Sequence, residues 1–512
     1  MTSPREAQLN EELRLVREDL DAARQEIKLL RQKLDALARR MFGKSSEKLD
    51  SAQMELLLDG MEEIKAVEAA AAQAALEPKQ KVDAARPRER GPRVPEHLPV
   101  REIILDPEEV KAAPAEWTCI GEEVSEQLDY TPGSFTRLRT IRRKYVNRIA
   151  KHLPPIIAPL APTLQERCLA APSLLAHAFV SRYRDHLPWY RIEGIYAGLG
   201  VEISRQTLCN WSGMAADASQ LLIKEIGQNV FAGGYVQIDE TPIEYLVPGH
   251  GQTKTGYLWV VNNPQNGEML FTWHTSRAAA CLESLVPIGF SGVIQCDGYS
   301  AYDSFAQSKE RAGTLTLVGC WAHVRRKFFE AKEHTPDAAW ALAQIQKLYR
   351  IEEELREARA DPEDRQRARH AQSRPIIEAL QQKLLQLQGN RTHLPQSLMG
   401  QATRYALGQW ESLLVFLEDG RVEIDNNLVE NAIRPSAIGK KNWLFIGDAN
   451  AGARAATFYT LMGNCRRLEV DAYAYLKELF TRLPTMTNRQ MKDITPAAWA
   501  REQHATAINL VS

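Results

Sequence analysis

Cysteine is scarce and scattered. The 512-residue chain has seven (Cys119, Cys168, Cys209, Cys281, Cys296, Cys320 and Cys465), an odd number, and no two stand in Cys-x-x-Cys spacing. This argues against a secreted disulfide framework and for a reducing compartment. Long apolar runs are also missing. A membrane-spanning helix needs about 18 or more consecutive apolar residues, and the nearest approach, Leu153–Leu164, is broken by prolines including Pro154 and Pro155. The N-terminus is charged from Arg5 onward and lacks the apolar core of a signal peptide, so a soluble cytoplasmic protein without membrane contact is expected. Net charge is absent as well: 64 Lys+Arg against 65 Asp+Glu leaves −1. A uniformly basic, histone-like binder is excluded, and any nucleic-acid surface must be a local patch. No phosphate-binding loop is complete. Gly43-Lys-Ser45 has Ala38 where the first glycine belongs, and Gly447-Asp-Ala-Asn-Ala-Gly452 runs into Ala-Arg, so ATP dependence is not expected.

What is present begins with a heptad seam. Leu9, Leu13, Val16, Leu20, Ala23, Ile27, Leu30, Leu34, Leu37 and Met41 alternate spacings of four and three, with charges between them. That a/d pattern predicts a coiled coil and a homo-oligomer formed through residues 9–41. A basic linker follows, ending in Arg86-Pro-Arg-Glu-Arg-Gly-Pro-Arg93. Arg137 to Lys151 holds seven basic residues, among them Arg137, Arg139, Arg142, Arg143 and Lys144, and no acid. The stretch reads as a phosphate-contacting strip or a solvated basic face. Trp189 to Leu199 reads as a helix stopped by glycines. Ser204 reads as the N-cap of a second helix, Arg205 to Ala215, a helix-turn-helix-like pair in which Arg205 and Gln206 open the helix that would meet DNA.

From Gly233 the texture changes to short β-type runs: Tyr235–Ile238, Tyr257–Val261, Met269–Trp273, Val293–Cys296 and Leu315–Val318. Three meandering strands, a crossover, two more strands and a helix from about Trp321 to Lys332 predict an α/β core with a mixed sheet. Residues 336–415 return to helix, with stripes at Ile345, Leu348, Ile351 and Leu355 and at Ile377, Leu380, Leu384 and Leu387, and a charged hairpin tip at 357–370 between them. Asp425–Ile433 reads as a short helix with Leu428, Ala432 and Ile433 facing inward, and Trp443–Ile446 as strand-like. Helices are expected again after Gly452.

Two acids close the best strands. Asp239 follows Tyr-Val-Gln-Ile and Asp297 follows Val-Ile-Gln-Cys. Each also reads as local geometry, Asp239 as an N-cap and Asp297 as half of an Asp-Gly turn. Glu430 on the short helix reads alone as the i,i+4 partner of Arg434, with Asp425 as a cap. Together, three carboxylates on two strands and a helix suit hard divalent cations, a pair of which promotes in-line phosphoryl displacement. His323, Arg325, Arg326 and Lys327 open the helix after the fifth strand, where they either meet a phosphate backbone or form a solvated basic face.

In combination these blocks resemble the DDE transposases of the insertion sequence 66 family. The resemblance rests on Met41-Phe-Gly-Lys-Ser-Ser-Glu-Lys-Leu49, Glu122-Glu-Val-Ser-Glu-Gln-Leu-Asp-Tyr130, Asp185-His-Leu-Pro-Trp-Tyr-Arg191, Ser204-Arg-Gln-Thr-Leu208 and Asp239-Glu-Thr-Pro. It continues through Lys254-Thr-Gly-Tyr-Leu-Trp259, Cys296-Asp-Gly-Tyr-Ser-Ala-Tyr302, Cys320-Trp-Ala-His-Val-Arg-Arg-Lys-Phe328, Asp425-Asn-Asn-Leu-Val-Glu430 and Lys441-Asn-Trp-Leu-Phe445. It implies an RNase H-like core with Asp239, Asp297 and Glu430 as catalytic triad and ligands of two Mg²⁺ ions, Mn²⁺ being an alternative. It further implies double-stranded DNA as partner (element ends and target), cleavage of the ends with transfer of the 3′-hydroxyl to target DNA, and accessory proteins of the same element. The family's zinc module uses two Cys-x-x-Cys pairs. Here only Cys119 is kept, and one thiol cannot build a four-ligand site, so zinc is not expected. The resulting plan is a zipper at 1–42, a linker at 43–95, a degenerate zinc-module-like segment at 96–160 and a helix-turn-helix-like segment at 161–228. Core halves at 229–335 and 416–465 flank a helical insertion at 336–415, and 466–512 is a helical C-terminal segment. A catalytically dead DNA-binding regulator and an RNase H-like nuclease without strand transfer are the alternatives.

Overall fold

The computed structural model describes residues 133–141, 144–145, 156–157, 159, 161–166 and 168–511, without 248, 250 and 334. The heptad seam, the 43–95 linker, Cys119, Arg142 and Arg143 lie outside the described residues. Among the described residues, a two-residue ladder, β1 (Lys144–Tyr145) with β2 (Ile156–Ile157), precedes four helices. These are α1 (Pro172–Phe179), α2 (Trp189–Gly198), α3 (Arg205–Ala218) and α4 (Gln220–Val230). The cap expected at Ser204 is present, its Oγ accepting from Thr207 N at 3.2 Å. No helix among the described residues is long and apolar enough to cross a membrane.

The five-stranded sheet is built from β3 (Tyr235–Leu246), β4 (Thr253–Asn262), β5 (Met269–His274), β6 (Gly292–Gln295) and β7 (Leu315–Val318), in the order β5-β4-β3-β6-β7. β3, β4 and β5 form an antiparallel meander, and β6 and β7 add in parallel to the other side of β3. Helix α5 (Ala279–Leu285) makes the crossover into β6, α6 (Ser300–Ala306) joins β6 to β7, and α7 (Trp321–Ala331) leaves β7. The mixed sheet expected from the strand pattern is therefore found.

One expectation is corrected. β3 does not end before Asp239 but runs on to Leu246, because β4 supports it residue by residue as far as the Leu246–Thr253 pair. Only its parallel pairing with β6 stops, at Gln237 opposite Gln295. Beyond that point this side of β3 is unpaired until Ile446 bridges to Tyr245, and an open edge is where a strand tolerates a proline, here Pro242.

The insertion consists of α8 (Pro336–Glu357), α9 (Pro362–Ala368), α10 (Arg374–Gly389), α11 (Leu398–Gly408) and α12 (Trp410–Glu418). Ile345 and Leu348 of the first stripe and Ile377, Leu380, Leu384 and Leu387 of the second are buried together with Trp321, Val324 and Phe328 of α7 in a second core. The charged stretch at 357–370 is mostly exposed, but one of its residues turns inward. Arg369 is fully buried, its guanidinium spanning both oxygens of buried Glu352 at 2.7 and 2.8 Å and donating to Phe416 O at 2.6 Å.

The short helix expected at Asp425–Ile433 is the start of a longer one, α13 (Asn427–Trp443), with Pro435 inside it. A proline there removes the bond to the carbonyl of Asn431. Arg466 Nη2 supplies a replacement donor to that carbonyl at 3.2 Å. Val429 rather than Leu428 turns inward with Ala432 and Ile433. The strand-like run at Trp443–Ile446 shrinks to the single bridge at Ile446. The last helices are α14 (Ala449–Arg467), α15 (Ala472–Arg482) and α16 (Pro496–Val511). α14 starts before Gly452, capped by Asp448 through Ala451 N at 2.7 Å. Gly452 is needed for contact rather than for phosphate. A β-carbon there would fall 2.2 Å from Trp273 Cε2, and one at Gly256 would fall 2.4 Å from Trp273 Cζ2.

Candidate active site

The site forms where β6 ends and β3 continues alone. Gln237 and Gln295 are register partners, and Asp239 and Asp297 each stand two residues further along. Since side chains on a strand repeat every second residue, Asp239 is carried on the face of Gln237, while Asp297 stands in the turn just past the end of β6. Both glutamines are fully buried. Gln237 Nε2 donates to Gln295 Oε1 at 2.8 Å and to Asp425 O at 3.0 Å, and Gln295 Nε2 donates to Glu423 O at 2.8 Å. Tyr235 closes the network, its hydroxyl donating to Gln295 Oε1 at 2.6 Å and accepting from Glu423 N at 3.0 Å. The backbone leading into α13 is thereby tied to both aspartate-bearing strands, and Glu430 lies in the first turn of that helix.

Asp239 Oδ1 accepts from Glu240 N at 2.9 Å. Burial, then the negative charge of Glu240, then Glu430 and Asp297, push its carboxyl from the ordinary 3.8 to about 8. A half-buried acid among three other acids is short of positive charge. Asp297 Oδ1 accepts from Tyr299 N at 3.1 Å, so the Asp-Gly turn is real and coexists with a place in the site. Its Oδ2 lies 3.5 Å from Arg277 Nη2. Glu430 does not pair with Arg434. Its Oε1 lies 3.9 Å from His323 Nε2. Asp425 does act at the helix start, accepting from Asn427 N at 3.0 Å, while its Oδ2 takes the Tyr349 hydroxyl proton at 2.8 Å.

An open cleft of about 590 Å³ brings together Asp239, Thr241, His323, Arg326, Glu430 and Arg434. Asp297 borders a neighbouring small cavity of about 20 Å³ and joins the cluster through Arg277 and Glu240. Of the expected basic residues, His323 and Arg326 enter the cleft. Arg325 is exposed outside its lining, and Lys327 lies 4.0 Å from Glu330. Arg205 and Gln206 are exposed at the start of α3, Arg137 and Arg139 are exposed on irregular chain, and Lys144 lies in β1. Sequence reasoning passed over Glu240, Arg277, Gln237 and Gln295. The glutamines had a signal, the same Gln-x-Asp ending on two strands; Arg277 had none.

Among the described residues no three His, Cys, Asp or Glu side chains already stand as a metal cluster. The donor chemistry nonetheless fits Mg²⁺, which keeps most of its waters and takes one or two carboxylates plus substrate phosphate oxygens. Asp239, half-buried and lacking a countercharge, is the group such a cation would relieve. The described cysteines, Cys168, Cys209, Cys281, Cys296, Cys320 and Cys465, are all free.

The model described as Transposase IS66 family matches residues 167–455, and that described as Transposase C of IS166 homeodomain matches residues 29–103. The chain is also similar to two Sinorhizobium fredii (strain NBRC 101917 / NGR234) proteins described as uncharacterized. It is 36% identical to y4qI over 405 residues, covering 76% of this chain and 73% of that protein. It is 32% identical to y4jD over 425 residues, covering 80% and 82%.

Proposed function

The chain belongs to the IS66 family of transposases, and from that premise we propose that it cleaves the ends of its insertion sequence in a Mg²⁺-dependent reaction and joins the freed 3′-hydroxyls to target DNA. The observation that carries this reading is the convergence of Asp239, Asp297 and Glu430, from two adjacent parallel strands and one helix, beside a cleft that also holds His323, Arg326 and Arg434. The strand order supports an RNase H-like core, with residues 336–418 inserted between the fifth strand and the Glu-bearing helix.

In this reading Asp239 and Asp297 would hold the cations, with Glu430 completing the set. Bound Mg²⁺ would stabilise the charge that develops on the attacking and leaving oxygens. Arg326 and Arg434 receive the phosphate backbone, and His323 stays beside Glu430. In the first step a water oxygen attacks phosphorus and the element's 3′-oxygen leaves with a proton. In the second that 3′-hydroxyl attacks a target phosphodiester, and the target's own 3′-oxygen departs. Exposed Arg205 and Gln206 at the start of α3, with the 137–144 strip, serve to hold the element ends, and residues 9–41 to pair two copies.

The test is incubation of labelled terminal-repeat duplex with Mg²⁺ and a target plasmid, wild type against Asp297→Asn. Joined products from wild type alone are expected. Equal cleavage by the variant refutes the triad, binding without cleavage by wild type favours the regulator, and cleavage without joining favours the plain nuclease.

A further inference from the structure

Arg277 is the cation that the sequence did not announce. It lies between β5 and α5 and meets two acids at once: its Nε is hydrogen-bonded to Glu240 Oε1, and its Nη2 stands 3.5 Å from Asp297 Oδ2. The two contacts are unequal. Glu240 is the fixed end. Its side chain is 1% exposed, and Tyr302 OH donates to Glu240 Oε2 at 3.0 Å. The guanidinium carbon also stacks 3.8 Å from the centre of the Tyr299 ring. Asp297 is the loose end, with one long contact to an oxygen that is partly open to solvent.

We propose that Arg277 is a positioning residue that holds the carboxylate of Asp297 until a divalent cation takes its place, and so sets how much metal the site needs. The proposal rests on the metal-dependent reading above. Its physics is a competition for one carboxylate. A guanidinium anchored on Glu240 and Tyr299 remains beside Asp297 at no further ordering cost, and its positive charge repels an arriving cation. The same charge keeps Asp297 and Glu240 from repelling each other while the cation is absent. Asp239, one residue from Glu240, has no ion pair with any described residue, and is left for the metal.

The experiment is a thermal-unfolding titration of the full-length protein with MgCl₂ and, separately, CaCl₂. Removing Arg277 alone strands the buried Glu240 carboxylate, which destabilises the fold by itself. The double variant Arg277→Met/Glu240→Gln therefore accompanies Arg277→Met, because it removes a charge of each sign. The half-saturating cation concentration is expected to fall at least threefold in both variants, with Asp239→Asn abolishing the response in either background. If wild type responds, Asp239→Asn abolishes the response, and the two Arg277 variants titrate like wild type or need more metal, the proposal fails while the metal-dependent reading stands. If wild type and every variant ignore both cations, that reading fails and the proposal falls with it.

Discussion

Gln237 Nε2 donates to Gln295 Oε1 at 2.8 Å across the last paired residues of two parallel strands, two positions before Asp239 and Asp297. The same two amides also hold the carbonyls of Asp425 and Glu423. A single buried network therefore sets the separation of the aspartates and the entry point of the Glu430 helix. Buried amides are suited to this because every donor they lose has no water to replace it.

Gln295→Leu is expected to cost about 1–3 kcal/mol, the usual penalty when buried partners are left unsatisfied. Here those are the Glu423 carbonyl, the Tyr235 hydroxyl and one N–H of the Gln237 amide. Urea denaturation measures the loss. Cleavage is expected to fall further than stability does, because Glu430 loses its tether. A variant that unfolds earlier yet cleaves normally at low temperature would separate the network from the site.

The carboxyl of Asp239 gives a signed pH effect. Its folded value of about 8 stands above the ordinary 3.8, so the folded protein holds an extra proton between about pH 4 and 8. Stability from this group is complete at low pH and declines as pH rises through that window. In metal-free protein, the melting temperature of wild type relative to Asp239→Asn is expected to fall between about pH 4 and 8. Binding Mg²⁺ expels the proton, so the stabilisation by Mg²⁺ is expected to grow over the same range. A flat difference between the two proteins would show that Asp239 is already ionised.

Arg326→Ala removes one positive charge from the cleft lining. Affinity for duplex DNA is expected to weaken without change in sequence preference, and the slope of log K against log salt to drop by about one. Arg325→Ala, outside the cleft lining, serves as the comparison and is expected to leave the slope closer to wild type. Fluorescence anisotropy across a salt series measures both.

Glu352→Ala leaves Arg369 charged and buried without its carboxylate. A loss of about 3–5 kcal/mol is expected, against a much smaller one for a surface ion pair such as Arg367–Asp364. Arg365 contacts both Glu352, at 3.2 Å, and Glu423, at 3.0 Å. The damage should therefore reach the segment before Glu430 and lower cleavage as well.

Periodicity and punctuation made much of the framework legible. The alternating apolar runs identified five strands, the 3.6-residue stripes identified the insertion helices, and Ser204 announced a helix start. The errors share one cause, support from distant chain. β3 outlasts its apolar run because β4 pairs with it through Glu240-Thr-Pro-Ile. α13 outlasts Pro435 because Arg466 serves the freed carbonyl. Arg369, in the otherwise largely exposed 357–370 stretch, turns inward because Glu352 neutralises it.

Residue type and order alone determined that strand-borne acids, a mixed α/β core and a helical insertion belong to this chain. They also carried its family, since ordered blocks survive in sequence whatever their packing. Which polar groups meet was decided only by tertiary structure. Glu430 faces His323 instead of Arg434, Arg277 reaches Glu240 and Asp297, and two glutamines 58 positions apart touch. The reason is physical. Local pattern reports which face of an element is apolar, whereas the partner of a buried polar atom is set by what lies across the core, and desolvation makes that choice costly to leave unmet.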